Sequence, residues 1–241
     1  MPRSRDSLPF IHLLPNLVTI IGLCAGLSAI RFAIEGRYEL ATGLIIFAAV
    51  IDGMDGMIAR LLKATSNIGA ELDSLSDFVC FGVAPAILVY RFALGADPGL
   101  GWVFALVFAI CCCLRLARFN VTRDAPAPPG APRFTGVPAP AGAILGLLPV
   151  FVTFAGLIDL RGASYGVSAW LGIIGLLMVS RIPTPSPKGI RIPRDKARYV
   201  LVGMAIVIGV LFSRFWLLMV FVSTCYILAL AVFALRSRHR G

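Results

Sequence analysis

Charged side chains are scarce in this sequence, and their scarcity excludes an ordinary soluble domain. Only 14% of the 241 residues are Asp, Glu, Lys or Arg, whereas about a quarter is usual for soluble domains. The chain has instead repeated charge-poor runs of about 20 residues, the length that crosses the hydrocarbon core of a bilayer as a helix. The short alternating segments of a transmembrane β-barrel are not visible. We therefore predict an all-α integral membrane protein.

Patterns for zinc sites and disulfide frameworks are also missing. The chain has two histidines and six cysteines, with no C-x-x-C pair and no histidine near a cysteine. All six cysteines fall within apolar runs, where a thiol commonly serves as a small packing residue. We expect that role for Cys24, Cys80, Cys111, Cys112, Cys113 and Cys225.

The apolar runs predict about eight transmembrane helices. We place them at 17–34, 40–61, 69–93, 100–119, 139–158, 164–180, 197–213 and 215–235. The first six would form a core over 17–180, preceded by an interfacial or cytosolic segment, 1–16. A basic loop (181–196), two additional helices (197–235) and a basic tail (236–241) would follow.

The basic residues are distributed unevenly between the two predicted faces of the membrane. Of the 22 Lys and Arg, five lie on one face and the remaining 17 on the face that holds both termini. Short loops rich in Lys and Arg stay in the cytosol, so we expect both termini to be cytosolic in a multi-pass protein of the cytoplasmic membrane. The net charge of +10 is then a topology signal and an attraction to anionic membrane lipids, and no nucleic-acid partner is expected. The five exceptions are Arg31, Arg37, Arg91, Arg161 and Arg214.

Acidic residues are concentrated in one stretch, "DGMDGMIARLLKATSNIGAELDSLSD", at 52–77. On a helix, Asp52 and Asp55 share a stripe with Gly56, Ala59 and Arg60, because residues three or four apart lie on the same face. Gly69, Asp73 and Asp77 share a second stripe by the same rule. The intervening "LLKATSNI" is short enough to join two antiparallel helices, so the four aspartates can face one another near the cytosolic surface.

Clustered carboxylates at a membrane edge need a compensating charge. An Asp at mid-span costs about 2.5–3.5 kcal/mol, and like charges add repulsion. All-oxygen ligands suit a hard divalent cation such as Mg²⁺ or Mn²⁺. Gly56, Ala59 and Gly69 leave room for a ligand, and Arg60 offers a fixed cation for a phosphate. The simpler interpretation is that these acids are solvated helix ends and that the small residues serve helix packing.

The full spacing D-x2-D-G-x2-A-R-x8-G-x3-D-x3-D resembles the signature of the CDP-alcohol phosphotransferases, and every position of it is matched between 52 and 77. The resemblance implies a helical membrane enzyme that displaces CMP from a CDP-linked lipid or alcohol, with one or two divalent ions and an alcohol nucleophile. It also implies a homodimer. "LPNLVT" before the first span resembles the segment on the nucleotide side in this family.

Three further stretches resemble the branch of the family that makes phosphatidylserine. They are "GAELDSLSDFVCFGVAPA" (69–86), "LRLARFN" (114–120) and "FTGVPAPAGA" (134–143). This likeness implies CDP-diacylglycerol and L-serine as substrates. Glycerol 3-phosphate, an inositol phosphate or choline remain alternative acceptors on the same scaffold. From other classes, an ion-coupled transporter and a cation-stabilised scaffold remain alternatives.

The family resemblance also assigns expected roles to individual residues. Asp52, Asp55, Asp73 and Asp77 would surround the metal, and Asp77 matches the general base that takes the proton of the acceptor hydroxyl. Contacts to CDP-diacylglycerol are expected at Asn16, Thr19, Gly56, Ala59, Arg60, Ser66 and Gly69. A helix cap at Asn16 and a bond within the helix at Thr19 are the competing structural roles.

The acceptor pocket is less well defined by the sequence. Arg118 is the preferred partner for the serine carboxylate, because a guanidinium binds a carboxylate through two parallel hydrogen bonds. Arg115 and Asn120 are further candidates, and all three could equally be anchors at a cytosolic helix end. Lys188 and Arg191 lie in a basic loop that could contact lipid or phosphate.

Overall fold

The computed structural model describes residues 14–62, 67–95, 98–123, 136–180 and 197–238, and the regular structure in these ranges is helical throughout. Its α-helices are α1 (Leu14–Ile34), α2 (Tyr38–Leu62), α3 (Asn67–Asp77), α4 (Ala84–Val89), α5 (Pro98–Arg123), α6 (Ala139–Gly146), α7 (Leu148–Phe154), α8 (Ser164–Val179), α9 (Ala197–Ser213) and α10 (Phe215–Arg238). Two π-helical segments, π1 (Phe78–Val83) and π2 (Tyr90–Leu94), join α3, α4 and the following turn into one continuous helical rod. The predicted all-α class is confirmed for these residues.

Four stretches of the described helices are long and apolar enough to cross a bilayer. They are Pro15–Ile34, Ile68–Leu94, Gly99–Thr122 and Phe215–Leu235. Two shorter apolar helices cover Ser164–Val179 and Gly203–Ser213. Several long apolar helices in one chain indicate a multi-pass membrane protein.

The third predicted span is interrupted by wider turns that the apolar pattern did not indicate. It forms a helix from 67 to 94, but π1 follows Asp77 directly and π2 ends the rod. Pro85 lies in the first turn of α4. Proline has no N–H to donate and its ring crowds the preceding turn, and a wider turn just before it accommodates both effects.

The fifth predicted span is shorter than expected and is broken in the middle. α6 ends at Gly146 and α7 begins at Leu148, with Pro149 in its first turn. The helix ends before Gly156, whose φ of 72° is a conformation that glycine adopts without strain. The Gly156 N–H bonds the Thr153 carbonyl and the Leu157 N–H bonds the Val152 carbonyl, the pair of bonds that closes a helix C-terminus at a left-handed residue.

α1 and α2 form an antiparallel hairpin with a closely packed interface. Gly36, with φ of 76°, ends α1 by the same bond pattern, Gly36 N–H to Ala33 and Arg37 N–H to Phe32. The buried faces of the pair are lined by small side chains that allow close approach of the helices in a membrane. The buried residues on the two helices include Ala25, Ala29, Ala33, Ala41, Ile45 and Ala48.

α1 also crosses the rod at a point where the backbones nearly touch. A Cβ added at Gly26 would lie 2.5 Å from Cys80 Sγ and 3.2 Å from its Cα. The Cys80 thiol donates to the Gly22 carbonyl, 3.3 Å away, and the Ser76 hydroxyl to the Thr19 carbonyl, 3.4 Å away. This crossing fixes the position of α1 relative to Asp77, one turn before Cys80.

The remaining described helices complete the bundle around a buried aromatic core. α5 packs on α8 and π1, α6 on α8, and α7 on α10. Phe81, Phe108 and Phe151 are fully buried. α9 presents large apolar side chains on its outer surface, among them Ile206 and Phe212, the latter 86% exposed.

Candidate active site

Three carboxylates from two helices converge near one end of the described bundle. Asp52 lies on α2, and Asp73 and Asp77 lie one turn apart on α3. One carboxylate oxygen from each residue can be chosen so that all three lie within 4.8 Å of one another. All three residues are half-buried. The two stripes predicted from sequence spacing therefore meet in the structure.

The convergence has a local cause in the helix geometry. Asp73 and Asp77 are four residues apart, so their side chains project from the same face of α3. That face lies against α1 and is turned toward Asp52 of α2. Carboxylate oxygens of Asp52 and Asp77 therefore lie within 4.8 Å of each other.

The carboxylates line a small pocket of about 10 Å³. A volume of this size holds about one water-sized group. The wall residues around the three acids are Thr19, Gly22, Ala48, Ile51, Ser76, Cys80 and Phe81. The pocket therefore fits an ion, and any larger substrate must approach it from outside.

The donor set fits a hard divalent cation. Three carboxylates within 4.8 Å repel one another in a half-buried setting, and a bound cation relieves that repulsion. The ligand atoms are all oxygens, which is the chemistry that Mg²⁺ and Mn²⁺ prefer. The structure thus contains an acidic group that can hold a metal ion.

One arginine stands close to the acids. Arg115 of α5 is half-buried and interacts electrostatically with both Asp52 and Asp77. Arg115, one of the predicted acceptor residues, thus interacts with two of the three carboxylates.

Arg118 forms hydrogen bonds with the end of another helix. Its guanidinium donates from Nη1 to the Val179 carbonyl (3.0 Å) and from Nη2 to the Ser180 carbonyl (3.2 Å). These are carbonyls at the end of α8, which have no partner within their own helix. Arg118 therefore ties α5 to α8.

Asn120 joins the site through a neighbour of the aspartates. Its Nδ2 donates to Ser74 Oγ at 2.9 Å, and the Ser74 hydroxyl also lies 3.1 Å from the Ala70 carbonyl. Because Ser74 follows Asp73 directly, the pair links the end of α5 to the acid-bearing face of α3.

The predicted nucleotide contacts divide into described and undescribed positions. Thr19 is buried, lines the acid pocket and donates its hydroxyl to the Pro15 carbonyl at 3.1 Å, so it does form the bond within its helix. Asn16 lies inside α1, one turn before Thr19. A Cβ at Gly56 would meet no described atom within 4 Å, which leaves room on that face, and Gly69 is half-buried on α3.

Several predicted site residues cannot be placed by their side chains. Asp55, Ala59 and Arg60 belong to α2, one to two turns beyond Asp52, but their side chains lie outside the described residues. Ser66, Lys188 and Arg191 also lie outside the described residues.

Sequence reasoning missed the polar and small residues of the pocket wall. Ser76 and Cys80 belong to the same face of the rod as Asp73 and Asp77, and the four-residue spacing from Ser76 to Cys80 could have indicated this. Gly22 and Gly26 form a G-x-x-x-G pattern, a known signal for close helix packing in membranes. It could have predicted that α1 packs against the acid-bearing rod.

Comparison with known proteins identifies the family of this chain. The family model for CDP-alcohol phosphatidyltransferase matches residues 12–179. This chain belongs to the CDP-alcohol phosphatidyltransferase family. The matched region contains the three converging aspartates and all of α1 to α8.

Curated relatives in this family share substantial identity with the chain. A CDP-diacylglycerol–serine O-phosphatidyltransferase of Mycobacterium leprae is 41% identical over 85% of this chain and 68% of its own length. A protein of the same name from Methanocaldococcus jannaschii is 38% identical, over 70% of this chain and 72% of its own length. A third, from Bacillus subtilis, is 35% identical, over 73% of this chain and 91% of its own length.

Proposed function

We propose that this protein transfers a phosphatidyl group from CDP-diacylglycerol to the hydroxyl of L-serine, giving phosphatidylserine and CMP. The observation that carries the proposal is the convergence of Asp52, Asp73 and Asp77 at the motif positions of a family member. The choice of serine is supported by the curated relatives, which bear the name CDP-diacylglycerol–serine O-phosphatidyltransferase. The activity belongs to phospholipid biosynthesis.

The reaction can be written with Asp77 as general base. Its carboxylate takes the proton of the serine hydroxyl, and the serine oxygen attacks the β-phosphorus of CDP-diacylglycerol. The new O–P bond forms as the bond from that phosphorus to the CMP oxygen breaks, and CMP leaves as an anion. Positioning and fixed charges suffice for such a transfer, so no covalent enzyme intermediate is required.

Asp52, Asp73 and Asp77, with Asp55, would hold one or two divalent ions, Mg²⁺ or Mn²⁺. Such an ion, when bound, neutralises charge on the diphosphate and on the departing CMP. The small side chains around the acids keep the site narrow, so that the carboxylates stay close together. Asp55 is assigned by its motif position.

The nucleotide half of the substrate would lie along α1 and α2. We assign it to the family-matched positions Asn16, Thr19, Gly56, Ala59, Arg60, Ser66 and Gly69. Thr19 is supported by its place in the wall of the acid pocket, and Gly56 by the open space around it. Arg60 would contribute a cation to a phosphate.

For the serine carboxylate, the observed contacts favour Arg115 over Arg118. Arg118 already donates to two carbonyls at the end of α8, whereas Arg115 faces the acids. Asn120, held by Ser74, would act beside it. Lys188 and Arg191 are assigned to lipid or phosphate contacts through their basic loop.

We further propose eight membrane spans with both termini and the aspartate site on the cytosolic side of the cytoplasmic membrane. Support comes from the uneven distribution of Lys and Arg along the sequence. In this arrangement 17–180 is the catalytic core, and α9 and α10 are the two additional helices. A homodimer is proposed by family likeness.

The deciding experiment follows CMP release by the full-length protein in detergent, with CDP-diacylglycerol and Mn²⁺ or Mg²⁺. We expect release to depend on L-serine and to fall at least about a hundredfold in Asp77→Asn, since general-base catalysis contributes about 10²–10⁴-fold. Glu71→Gln is the matched control, because Glu71 is an exposed acid of the same helix outside the acid stripe.

Parallel reactions separate the remaining alternatives. Release that requires glycerol 3-phosphate, an inositol phosphate or choline would keep the chemistry and replace serine as the acceptor. If folded protein that binds Mn²⁺ released no CMP with any acceptor, the enzymatic function would be refuted. A transporter or a scaffold would then be favoured.

A further inference from the structure

A second polar site lies at the opposite end of α2 from the aspartates. It is an open pocket of about 710 Å³ whose lining includes Arg37, Tyr38, Glu39, Phe154, Arg161 and Trp216. Arg37 precedes the first residue of α2, and Asp52 lies 15 residues further on. At 1.5 Å per residue that separation is about 22 Å along the helix, so the pocket is distinct from the candidate active site.

The two arginines of this pocket are held in place without being neutralised. The Arg37 guanidinium carbon lies 4.9 Å from the centre of the Phe32 ring, and that of Arg161 lies 5.4 Å from the centre of the Phe92 ring. A cation–π contact orients a guanidinium but leaves its charge. Among the described residues, neither arginine forms an ion pair, whereas neighbouring Arg31 pairs with Glu35 at 2.8 Å.

Nearby acids reduce the positive charge only in part. Glu39 lines the pocket, so the two arginines face one carboxylate. Glu35 is paired with Arg31, and the Asp159 carboxylate accepts the backbone N–H of Arg161 at 3.0 Å. The pocket therefore keeps two guanidinium groups with donors available for an anion, and these groups prefer paired oxygen acceptors such as those of a phosphate.

The other wall of the pocket is aromatic and rigid. Tyr38 packs edge-on against Phe92 (5.2 Å between ring centres), Phe92 against Phe154 (5.7 Å), and Phe154 against Trp216 (5.0 Å). The Tyr38 hydroxyl donates to the Arg91 carbonyl at 3.0 Å. Tyr and Trp at helix ends are typical of the membrane–water interface, where a side chain contacts both apolar and polar groups.

We propose that this pocket binds an anionic phospholipid of the leaflet opposite the aspartate site. Its phosphate would lie between Arg37 and Arg161, with the beginning of an acyl chain against Phe154 and Trp216. The volume is in the range of small-molecule sites, about 300–1,000 Å³, and basic pockets between membrane helices are suited to lipid headgroups. The apolar wall beside the two cations favours a lipid over free phosphate, because only a lipid has an acyl chain that can pack against that wall. This proposal does not depend on the proposed function.

Native mass spectrometry of the full-length protein, released from nanodiscs containing phosphatidylglycerol and phosphatidylcholine in equal amounts, tests the site. We expect preferential retention of phosphatidylglycerol, falling about tenfold in Arg37→Gln/Arg161→Gln because both charged phosphate contacts are lost. Arg31→Gln is the matched control. It removes the same charge from the same end of the bundle, but its guanidinium pairs with Glu35 and does not line the pocket.

Two further arms exclude other sources of the signal. Saturating CMP, the water-soluble product of the proposed reaction, has no acyl chain and should leave the retained phosphatidylglycerol in place. Inorganic phosphate should not displace it. Serine-dependent CMP release in detergent without added phosphatidylglycerol should be the same in the double variant as in the parent protein. Should the double variant fail to fold, Arg37→Gln and Arg161→Gln are measured separately, each with an expected partial loss.

The proposal is overturned by retention that the arginine substitutions do not change, or that Arg31→Gln reduces equally. Displacement by CMP would place the retained lipid in the active site. Displacement by inorganic phosphate would indicate that the pocket binds a free anion and not a lipid. Either result contradicts a lipid site in this pocket.

Discussion

Asp52, Asp73 and Asp77 are the residues whose positions are costly without a bound cation. They are half-buried with carboxylate oxygens within 4.8 Å of one another. Intramembrane acids with no compensating charge are disfavoured. Their arrangement indicates that the site exists for a ligand, because a solvated helix end does not require acids from two helices to meet.

At the same scale, Arg115 and Arg118 show that residues three apart can have different tasks. Arg118 satisfies two carbonyls at the end of α8. Gly136 approaches one of them so closely that a Cβ there would lie 2.7 Å from the Ser180 oxygen. Arg115 interacts with the acids instead. Their shared motif "LRLARFN" does not distinguish these tasks.

We predict that Arg118→Gln and Arg115→Gln have separable effects. Arg118→Gln should lower the stability of the detergent-solubilised protein by about 1.5–3 kcal/mol, the contribution of a hydrogen bond to a charged group, with little change in the KM for serine. Arg115→Gln should raise the KM for serine about tenfold or more, because a carboxylate partner is lost. Thermal unfolding and steady-state kinetics measure the two quantities, and an exchanged pattern would return the serine carboxylate to Arg118.

At the scale of elements, the crossing of α1 and π1 positions the acid pocket. Gly26 and Cys80 are in near contact, and Thr19, one to two turns earlier on α1, lines the pocket with Asp52 and Asp77. A side chain at the crossing would separate the helices. Because α1 would move as a rigid helix, Thr19 in the pocket wall would also be displaced.

We predict that Gly26→Ala destabilises the protein and reduces CMP release. Its Cβ would lie 2.5 Å from Cys80 Sγ, and overpacking of this kind costs about 1–3 kcal/mol. Gly166→Ala in the first turn of α8 is the matched control, since a Cβ there meets no described atom within 4 Å and no overpacking is expected.

A double-mutant cycle with Cys80→Ala tests the cause of that effect. Removing the thiol should recover part of the stability lost in Gly26→Ala, so that the two substitutions are non-additive, as residues in contact usually are. Simple additivity would mean that the loss arises elsewhere than at this crossing.

At the scale of the whole molecule, the bundle has two chemically different ends. The acids lie toward one end, whereas Arg37, Arg91 and Arg161 meet at the other, where Arg91 donates to the Ile34 carbonyl and the other two share a pocket. Basic residues are few at the face that crosses the membrane during insertion. The proposed topology therefore places the arginine end outside the cytosol.

We predict that engineered cysteines at the two ends react from opposite sides of the membrane. Gly162→Cys, in the exposed turn between α7 and α8, should react with a membrane-impermeant thiol reagent in intact cells. Thr122→Cys, exposed at the end of α5, should react only after permeabilisation. The parent protein gives the background, because its cysteines lie in apolar helices. The reverse labelling pattern would show that the protein has the opposite orientation in the membrane.

Much of the fold and of the site follows from the sequence alone. Apolar run length predicts helices because a backbone in lipid must satisfy its own hydrogen bonds, and all eight predicted segments contain helix. The four-residue spacing of Asp73 and Asp77 determines that they share a face, since the helical period is local. The family signature at 52–77 can likewise be recognised from the sequence alone.

Only the tertiary structure decided which helices meet and which polar group serves which partner. The contact of Gly26 with Cys80, the use of Arg118 for α8 and the pocket joining Arg37 to Arg161 all connect segments that are far apart in the chain. Such contacts depend on how helix faces pack together. Sequence periodicity predicts which face of a helix a residue occupies, but it does not predict which other helix packs against that face. The turn at Pro149 and the wider turns of the rod likewise arise where local backbone geometry and packing must be satisfied together.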